Sequence, residues 1–151
     1  PNTPPEPSAI LAWMSELAVR ADARAALDVG TGSGYQAAVL AELVPRVDSL
    51  ELSADLARTA RERLDALGYA NVRVHRADAR LGWSSAGPYD AIVVACAAPR
   101  VPEALLEQLA PGGRLVAPVG RYEQRLCVFE KDSDGLLESR LEGWVAFVPM
   151  R

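Results

Sequence analysis

Apolar and polar positions alternate along this chain in two different periods, which predict an ordered series of strands and helices. Short apolar runs bounded by glycine, proline or polar residues are typical of buried strands, and apolar residues every three or four positions indicate amphipathic helices. The pattern predicts strands at residues 25–29, 47–52, 72–77, 89–96, 114–119, 124–130 and 143–148. It predicts helices at residues 6–20, 35–43, 53–67 and 101–110, the last one closed by the Pro-Gly-Gly at 111–113.

The order of these elements predicts the fold class. Strand and helix alternate as far as residue 119, and then two strands follow in succession, joined by a polar turn near residues 132–135. This order predicts an α/β, Rossmann-like doubly wound fold with a mostly parallel seven-stranded sheet and a C-terminal antiparallel hairpin. We expect residues 1–151 to form a single domain, with residues 1–7 as a flexible or substrate-side segment.

The first predicted strand leads into a loop with glycine at every second position, at Gly30, Gly32 and Gly34. Glycine lets the backbone turn sharply and approach a ligand closely. A dinucleotide loop would have a glycine where Tyr35 stands, and a phosphate-binding Walker loop needs a lysine, whereas the only lysine is Lys131. The loop therefore suits a nucleoside without phosphates, such as S-adenosylmethionine; a glycine turn without a ligand is the alternative.

Acidic residues lie at or near the ends of the first three predicted strands, at the edge where ligands bind to such sheets. Glu51 comes about 20 residues after Gly30, the spacing at which an acidic side chain accepts hydrogen bonds from ribose hydroxyls. Asp78 follows the third strand, where its carboxylate can accept a hydrogen bond from an adenine amino group. Asp28 lies inside the first strand, and two roles stay open: orienting the loop or the cofactor's amino group, and a structural hydrogen bond.

The net charge, the length of the apolar runs and the cysteine content limit the kinds of partner and compartment that suit this chain. The net charge of −4 and the pI of about 5.0 argue against nucleic acid or an anionic membrane as the main partner. No apolar run approaches the length of a membrane span, and the start shows no signal peptide. Cys96 and Cys127 lie in apolar runs and are expected to be free thiols in a reducing cytoplasm. His75 lies in mid-strand and is interpreted as structural, and no cluster of metal ligands is visible.

Several longer segments carry a family resemblance. They are LDVGTGSGYQAAVL at residues 27–40, LGYANV at 67–72, YDAIVV at 89–94, AAP at 97–99, PEALLEQLAPGGRLVAPVG at 102–120 and FVP at 147–149. With these segments the chain resembles the protein-L-isoaspartate O-methyltransferases, a family of class I S-adenosylmethionine-dependent methyltransferases, over nearly its whole length. The resemblance implies S-adenosylmethionine as cofactor, S-adenosylhomocysteine as product, and peptides or proteins with isoaspartyl residues as substrate.

The resemblance also implies the site residues. Cofactor contacts are expected at Asp28, Gly30, Thr31, Gly32, Ser33, Gly34, Tyr35, Glu51, Leu52, Asp78 and Ala79. Substrate contacts are expected at Ala97 and Ala98. The residues that match Glu51 and Asp78 hold the ribose and the adenine in that family, and we expect a monomer without a metal.

The chain departs from the family pattern in three places. A Thr-x-Ser-x-Pro segment, whose serine lies beside the substrate carboxylate, is matched here by residues 3–7, so that Pro5 stands at the serine position. Thr3 and Ser8 are then the candidates for the catalytic hydroxyl. The family's Gly-Asp-Gly is Ala-Asp-Ala at residues 77–79, and the N-terminal segment that helps to cover the substrate is missing, as expected of a truncated chain or a shortened relative.

Methyl transfer to a carboxylate, the reaction that the resemblance implies, needs few catalytic side chains. Methyl transfer from a sulfonium is an in-line displacement, and an acceptor carboxylate is already ionised at pH 7, so that no general base is needed. The protein would supply approach, alignment and exclusion of water. Two alternatives stay open: a relative that methylates a normal aspartate in a dedicated peptide, and a non-catalytic module that binds S-adenosylmethionine.

Overall fold

The computed structural model of the protein describes residues 7–77 and 87–145, with side chains from residue 9 onward. The secondary-structure elements within these ranges agree with most of the predicted ones. They are α1 Pro7–Ala18, β1 Ala25–Val29, α2 Tyr35–Leu43, β2 Arg46–Glu51, α3 Ala54–Ala66, β3 Val72–Arg76, β4 Tyr89–Val94, α4 Glu103–Glu107, β5 Leu109–Val119, β6 Gln124–Lys131 and β7 Leu137–Val145.

The strands form one seven-stranded sheet in the order β3-β2-β1-β4-β5-β6-β7. Strands β1 to β5 are parallel, and β6 is antiparallel to both of its neighbours. The predicted fold class is therefore confirmed, including the antiparallel hairpin at the C-terminal side. The chain reverses its direction of travel across the sheet at β1 and β4, and such a switch point is where open α/β sheets bind ligands.

The central strand β1 is buried at all five of its residues because it has a parallel neighbour on each side and a packed layer on each face. Successive strand residues point to opposite faces. Ala26 accordingly joins a core with residues of α1, α2 and α3, whereas Leu27 joins a second core with residues of α4. The sheet thus separates a three-helix face from an α4 face.

Helix α3 illustrates how local signals set an element. The Ser53 side chain accepts a hydrogen bond from the Leu56 amide at 3.3 Å and caps the helix. Ala57, Ala60 and Leu64 form its buried stripe. The N-cap agrees with the prediction from sequence. The predicted stripe of Leu56, Ala60, Leu64 and Leu67 is only partly correct, because Leu56 and Leu67 are exposed and Ala57 is buried instead.

The predicted boundary between the last helix and the fifth strand is wrong. Helix α4 ends at Glu107 and β5 already begins at Leu109. The Tyr89 amide donates to the Gln108 carbonyl at 2.7 Å and Leu109 pairs with Tyr89, so sheet pairing overrides the helical propensity of this segment. The register then shifts, because Ala91 of β4 pairs with Arg114 of β5, and the additional residues of β5 include the Pro-Gly-Gly. This segment therefore lies inside β5 as an irregularity instead of a turn before it.

The predicted start of the last strand is also wrong, whereas its predicted end lies outside the described residues. The strand was expected at residues 143–148, but β7 begins at Leu137 and is described as far as Val145. Residues 138–140 of β7 are exposed, since β7 has a strand on one side only among the described residues. A polar edge strand has no apolar run to indicate it.

A candidate nucleotide-cofactor site

The loop from Gly30 to Gly34 connects β1 to α2 at the switch point of the sheet. Its three glycines have φ angles of 92°, 50° and 90°, in the left-handed region that L-amino acids with a side chain rarely adopt. Tyr35 then starts α2. The glycines are thus required by the backbone path, and their lack of a side chain leaves room for a ligand to approach the loop backbone closely.

Strand β2 holds this loop in place. The amides of Gly30 and Thr31 both donate to the Leu50 carbonyl, at 2.8 and 3.1 Å. The half-buried Glu51 carboxylate accepts the Gly32 amide on Oε1 at 3.0 Å and the Ser53 amide on Oε2 at 2.9 Å. Each carboxylate oxygen retains a further lone pair, so that Glu51 is oriented by the backbone and can still accept ribose hydroxyls.

A chain of buried polar side chains lies beneath the loop. Ser49 Oγ donates to Asp28 Oδ2 at 2.7 Å and also shares a hydrogen bond with Thr31 Oγ1. Asp28 Oδ1 is buried and has no hydrogen-bond partner among the residues that the structure describes. Burial raises the pKa of Asp28 to about 7; the Ser49 bond opposes this rise, and the negative charge of Glu51 adds to it.

Sequence reasoning did not find Ser49. Its role depends on the register of β1 with β2, which places it directly opposite Asp28. The available signal was a hydroxyl inside a predicted strand, two residues before Glu51 and therefore on the same face of β2.

The end of β4 forms the other wall of the crevice. The Ala95 amide donates to the Val29 carbonyl at 3.0 Å, which holds the chain after β4 against β1. Cys96 is a free, half-buried thiol whose sulfur lies 4.0 Å from where a Cβ on Gly30 would be. Burial, together with the charges of Asp28 and Glu51, raises the pKa of Cys96 to about 11. The thiol is therefore protonated at neutral pH and is a poor nucleophile.

The two predicted substrate contacts lie next along the chain. Ala97 is buried, and Ala98 forms an isolated parallel bridge with Val119. The Ala98 carbonyl accepts the Gly120 amide at 2.9 Å. This segment is therefore anchored to the end of β5, and a role in substrate binding stays a prediction for both alanines.

Two side chains tie helices to the site through contacts that the sequence did not predict. Arg63 of α3 donates from Nη1 to the Ser33 carbonyl at 2.6 Å and so holds the tip of the glycine loop. Gln36, the second residue of α2, donates from Nε2 to Ser15 Oγ of α1. Gln36 Oε1 is buried and, within the described parts of the chain, has no hydrogen-bond partner. Both contacts depend on tertiary packing, which local sequence patterns do not show.

The predicted cofactor residues divide into two groups. The structure brings Asp28, the loop from Gly30 to Gly34, Tyr35, Glu51 and the half-buried Leu52 together at the carboxyl ends of β1 and β2. Asp78 and Ala79 lie outside the described residues, although the neighbouring Ala77 amide donates to the Glu51 carbonyl at 2.8 Å. Thr3 and Pro5 also lie outside them, and Ser8 is described only by its place in α1.

A separate polar cluster lies on the α4 face of the sheet. The buried Asp48 carboxylate accepts the Tyr89 hydroxyl at 2.8 Å and pairs with His75 Nε2 at 2.9 Å. Burial and the bond to Asp48 raise the pKa of Tyr89. His75 is thus a hydrogen-bonded residue of the sheet, in agreement with its structural interpretation.

Residues 7–77 and 87–145 contain neither a metal-binding cluster nor a membrane-spanning helix. No cluster of three or more His, Cys, Asp or Glu side chains in these ranges could hold a metal ion. No helix there is long and apolar enough to cross a bilayer.

Comparison with known proteins places this site in a family. Residues 5–151 match the family profile described as protein-L-isoaspartate(D-aspartate) O-methyltransferase. A protein-L-isoaspartate O-methyltransferase of Halorhodospira halophila is 54% identical over 125 residues, which cover 82% of this chain and 56% of that protein. Another, from Syntrophobacter fumaroxidans, is 49% identical over 143 residues, which cover 93% of this chain and 58% of that protein.

Solved structures agree with these sequence relatives. A protein-L-isoaspartate O-methyltransferase superimposes with a TM-score of 0.85 at 28% identity, covering 95% of this chain and 47% of the other. A Plasmodium falciparum structure, described as a complex of such an enzyme with S-adenosyl-L-homocysteine, superimposes with a TM-score of 0.76 at 24% identity, covering 96% of this chain and 71% of that one. The second likeness bears on the fold alone.

The fold and the glycine loop are those of class I methyltransferases. Within that class, the chain belongs to the protein-L-isoaspartate(D-aspartate) O-methyltransferase family. The chain spans little more than half the length of the two sequence relatives named above.

Proposed function

We propose that this protein is an S-adenosylmethionine-dependent methyltransferase that esterifies the carboxylate of L-isoaspartyl residues in peptides and proteins. The observation that carries the proposal is the Glu51 carboxylate, which the Gly32 and Ser53 amides hold at the edge of a glycine loop. Membership of the family supports both the cofactor and the substrate class. The ester of an isoaspartyl residue can cyclise to a succinimide, which is a route to protein repair.

The residues present fit this cofactor. The loop glycines carry no side chain that would narrow the approach to the backbone, and Glu51 retains lone pairs for two ribose hydroxyls. Asp28 offers a buried carboxylate oxygen without a partner among the described side chains, which suits the cationic amino end of the cofactor. We assign Asp78 to the adenine amino group, as its place after β3 and the family resemblance indicate.

The cofactor, when bound, supplies a methyl group activated by its attachment to a sulfonium. The chain itself then needs to hold the acceptor carboxylate in line with that methyl group and to exclude water. The acceptor is ionised at neutral pH, so that a general base is not needed. A covalent step through Cys96 is disfavoured, since the raised pKa keeps this thiol protonated.

The acceptor side of the site is assigned to two segments. Thr3 and Ser8 flank Pro5, which stands at the position of the family's serine, and each offers a short hydroxyl donor to the acceptor carboxylate. Ala97 and Ala98 follow β4 at the same edge of the sheet. The replacement of the family's serine by proline favours a second candidate: methylation of a normal aspartate in a dedicated peptide.

The test is a methyl-transfer assay with labelled cofactor and a matched pair of peptides. The two peptides have the same sequence and differ only in an isoaspartyl or an aspartyl linkage. Label in the isoaspartyl peptide, released again by mild base as expected of a methyl ester, supports the proposal. Label only in the aspartyl peptide supports the second candidate. S-adenosylhomocysteine binding without transfer to either peptide indicates a non-catalytic binding module.

A further inference from the structure

Three buried side chains connect β1, β2 and the glycine loop, and we call them the Asp28–Ser49–Thr31 chain. Asp28 and Ser49 are fully buried and Thr31 is 3% exposed. Asp28 and Ser49 are directly opposite each other in the sheet register, and Thr31 is the second residue of the loop after β1. Because buried polar groups cannot turn to bulk water, each of these side chains depends on its protein partners.

The number of protons fixes the direction of the hydrogen bonds. A serine hydroxyl carries one proton. When Asp28 is ionised, Ser49 donates this proton to Asp28 Oδ2 across 2.7 Å, so that Thr31 must be the donor in the Thr31–Ser49 bond. When Asp28 is protonated, its own hydroxyl can donate to Ser49, and the Ser49 proton can turn to Thr31 Oγ1. The protonation state of Asp28 thereby determines whether the hydroxyl of Thr31, a loop residue, donates or accepts this hydrogen bond.

Thr31 is well placed to pass this signal to the loop backbone. Its amide donates to the Leu50 carbonyl, and the next amide, of Gly32, donates to Glu51 Oε1. The Thr31 side chain thus lies next to two of the amide hydrogen bonds through which β2 holds the loop. A change in the hydrogen bond between Thr31 and Ser49 therefore alters the position of Gly32, whose amide binds the Glu51 carboxylate.

We infer that Ser49 is a positioning residue, which stabilises the ionised form of Asp28 and fixes Thr31 so that Asp28 and the glycine loop are set for a cofactor bearing a positive charge. This inference rests on the proposed function, because it takes the cationic group to be the amino end of S-adenosylmethionine or S-adenosylhomocysteine. Asp28 Oδ1 supports it: this buried acceptor has no partner among the described residues, and an ionised carboxylate in such a place favours a cationic ligand.

A pH dependence follows with a definite sign. Burial raises the pKa of Asp28 to about 7, so a fraction of the carboxyl groups is protonated at neutral pH before the ligand binds. A cationic ligand binds the ionised form better. The affinity for S-adenosylhomocysteine should therefore rise as the pH increases through about 7 and become constant above it.

The experiment measures S-adenosylhomocysteine affinity by calorimetry between pH 5.5 and 8.5, for the wild type and three variants. Ser49→Ala removes the bond that opposes the rise in the Asp28 pKa, so that the midpoint should move upward by about one pH unit. The ionised fraction at pH 7 then falls from about one half to about one tenth, so the affinity at pH 7 should be about fivefold weaker. Thr31→Val is the matched control, since it keeps the Ser49–Asp28 bond; it should weaken binding without moving the midpoint. Ser49→Thr restores the hydroxyl and should return the midpoint toward that of the wild type.

A second readout needs no ligand. The carboxyl carbon resonance of Asp28 in the ligand-free protein reports its titration, and its midpoint should move upward in Ser49→Ala and stay in place in Thr31→Val. If Ser49→Ala does not fold, Ser49→Cys, with its weaker donor, should move the midpoint in the same direction.

The outcomes separate the inference from the proposed function. An unchanged midpoint in Ser49→Ala, or in Ser49→Cys, overturns the inference even if the affinity falls, because a purely structural role would lower affinity at every pH alike. A wild-type affinity that does not vary across the pH range also overturns it. Absence of any binding by the wild type counts against the proposed function, and the carboxyl resonance then still decides whether Ser49 controls Asp28.

Discussion

At the scale of single residues, Glu51 shows how a side chain can be oriented and still be available. Two backbone amides, of Gly32 and Ser53, bind one oxygen each and fix the plane of the carboxylate. Sequence spacing alone places Glu51 at the end of β2, whereas the two amide bonds are visible only in the structure. A carboxylate that is already ordered loses less rotational freedom when a ligand binds, so that more of each ribose hydrogen bond contributes to affinity.

Glu51→Ala should weaken S-adenosylhomocysteine binding at least about tenfold, since hydrogen bonds to a charged acceptor contribute about 1.5–3 kcal/mol each. Glu62→Ala is the matched control, because it removes the same charge from an exposed position on α3. Calorimetry on both proteins gives the comparison. Equal affinities for a folded Glu51→Ala and the wild type would show that Glu51 serves only to hold the loop.

At the scale of elements, the glycine loop is the part of the site that depends most on backbone conformation. Gly34 has a φ of 90° directly before α2, and Gly68 has a φ of 85° after α3 and is not part of the loop. A Cβ on Gly34 would lie at an ordinary 3.5 Å from Leu64, and one on Gly68 would meet nothing within 4 Å. The two positions therefore carry a similar conformational strain for any other residue, and only one of them belongs to the site.

This pair gives a controlled test of the loop. Gly34→Ala and Gly68→Ala should each lower the free energy of unfolding by about 1–2 kcal/mol, because alanine is strained at positive φ. Only Gly34→Ala should also weaken S-adenosylhomocysteine binding, since it displaces the backbone of the loop that we propose to lie against the cofactor. Denaturant unfolding measures the first effect and calorimetry the second. A similar loss of affinity in both variants would contradict a specific role for the loop.

The elements also show which parts of the structure the sequence could predict. The bounds of β1 and α2 and the cap of α3 depend on local features: a short apolar run, glycines, and Ser53. The start of β5 at Leu109 depends on pairing with Tyr89, some 20 residues away, and a strong local helix pattern concealed it. Ser49 and Arg63 were missed for the same reason, because their partners are set by strand register and by the packing of α3.

At the scale of the whole molecule, the buried Asp28 carboxylate lowers the free energy of unfolding at neutral pH. A carboxyl group whose pKa rises on folding from its usual 3.8 to about 7 binds its proton more tightly in the folded state than in the unfolded one. Stability then falls as the pH rises between these values and is constant above the upper one. The full effect for Asp28 has an upper bound of about 4 kcal/mol, since each pKa unit corresponds to about 1.4 kcal/mol. A buried and incompletely bonded carboxylate is retained here in the centre of the sheet, which is understandable if it serves the ligand.

Asp28→Asn tests this trade-off, because it keeps the size of the side chain and removes the titration. The free energy of unfolding of the wild type, relative to that of the variant, should fall between about pH 4 and pH 7 and then become constant. The comparison with the variant is needed because other carboxyl groups titrate in the same range and affect both proteins alike. At pH 8 the variant should be the more stable protein, and its affinity for S-adenosylhomocysteine should be lower and no longer dependent on pH near 7. Denaturant unfolding at a series of pH values, paired with calorimetry, measures both effects.

A stability difference that stays constant from pH 4 to pH 8 would mean that Asp28 keeps an ordinary pKa in the folded protein, and it would remove the electrostatic reason for assigning this residue to a cationic ligand.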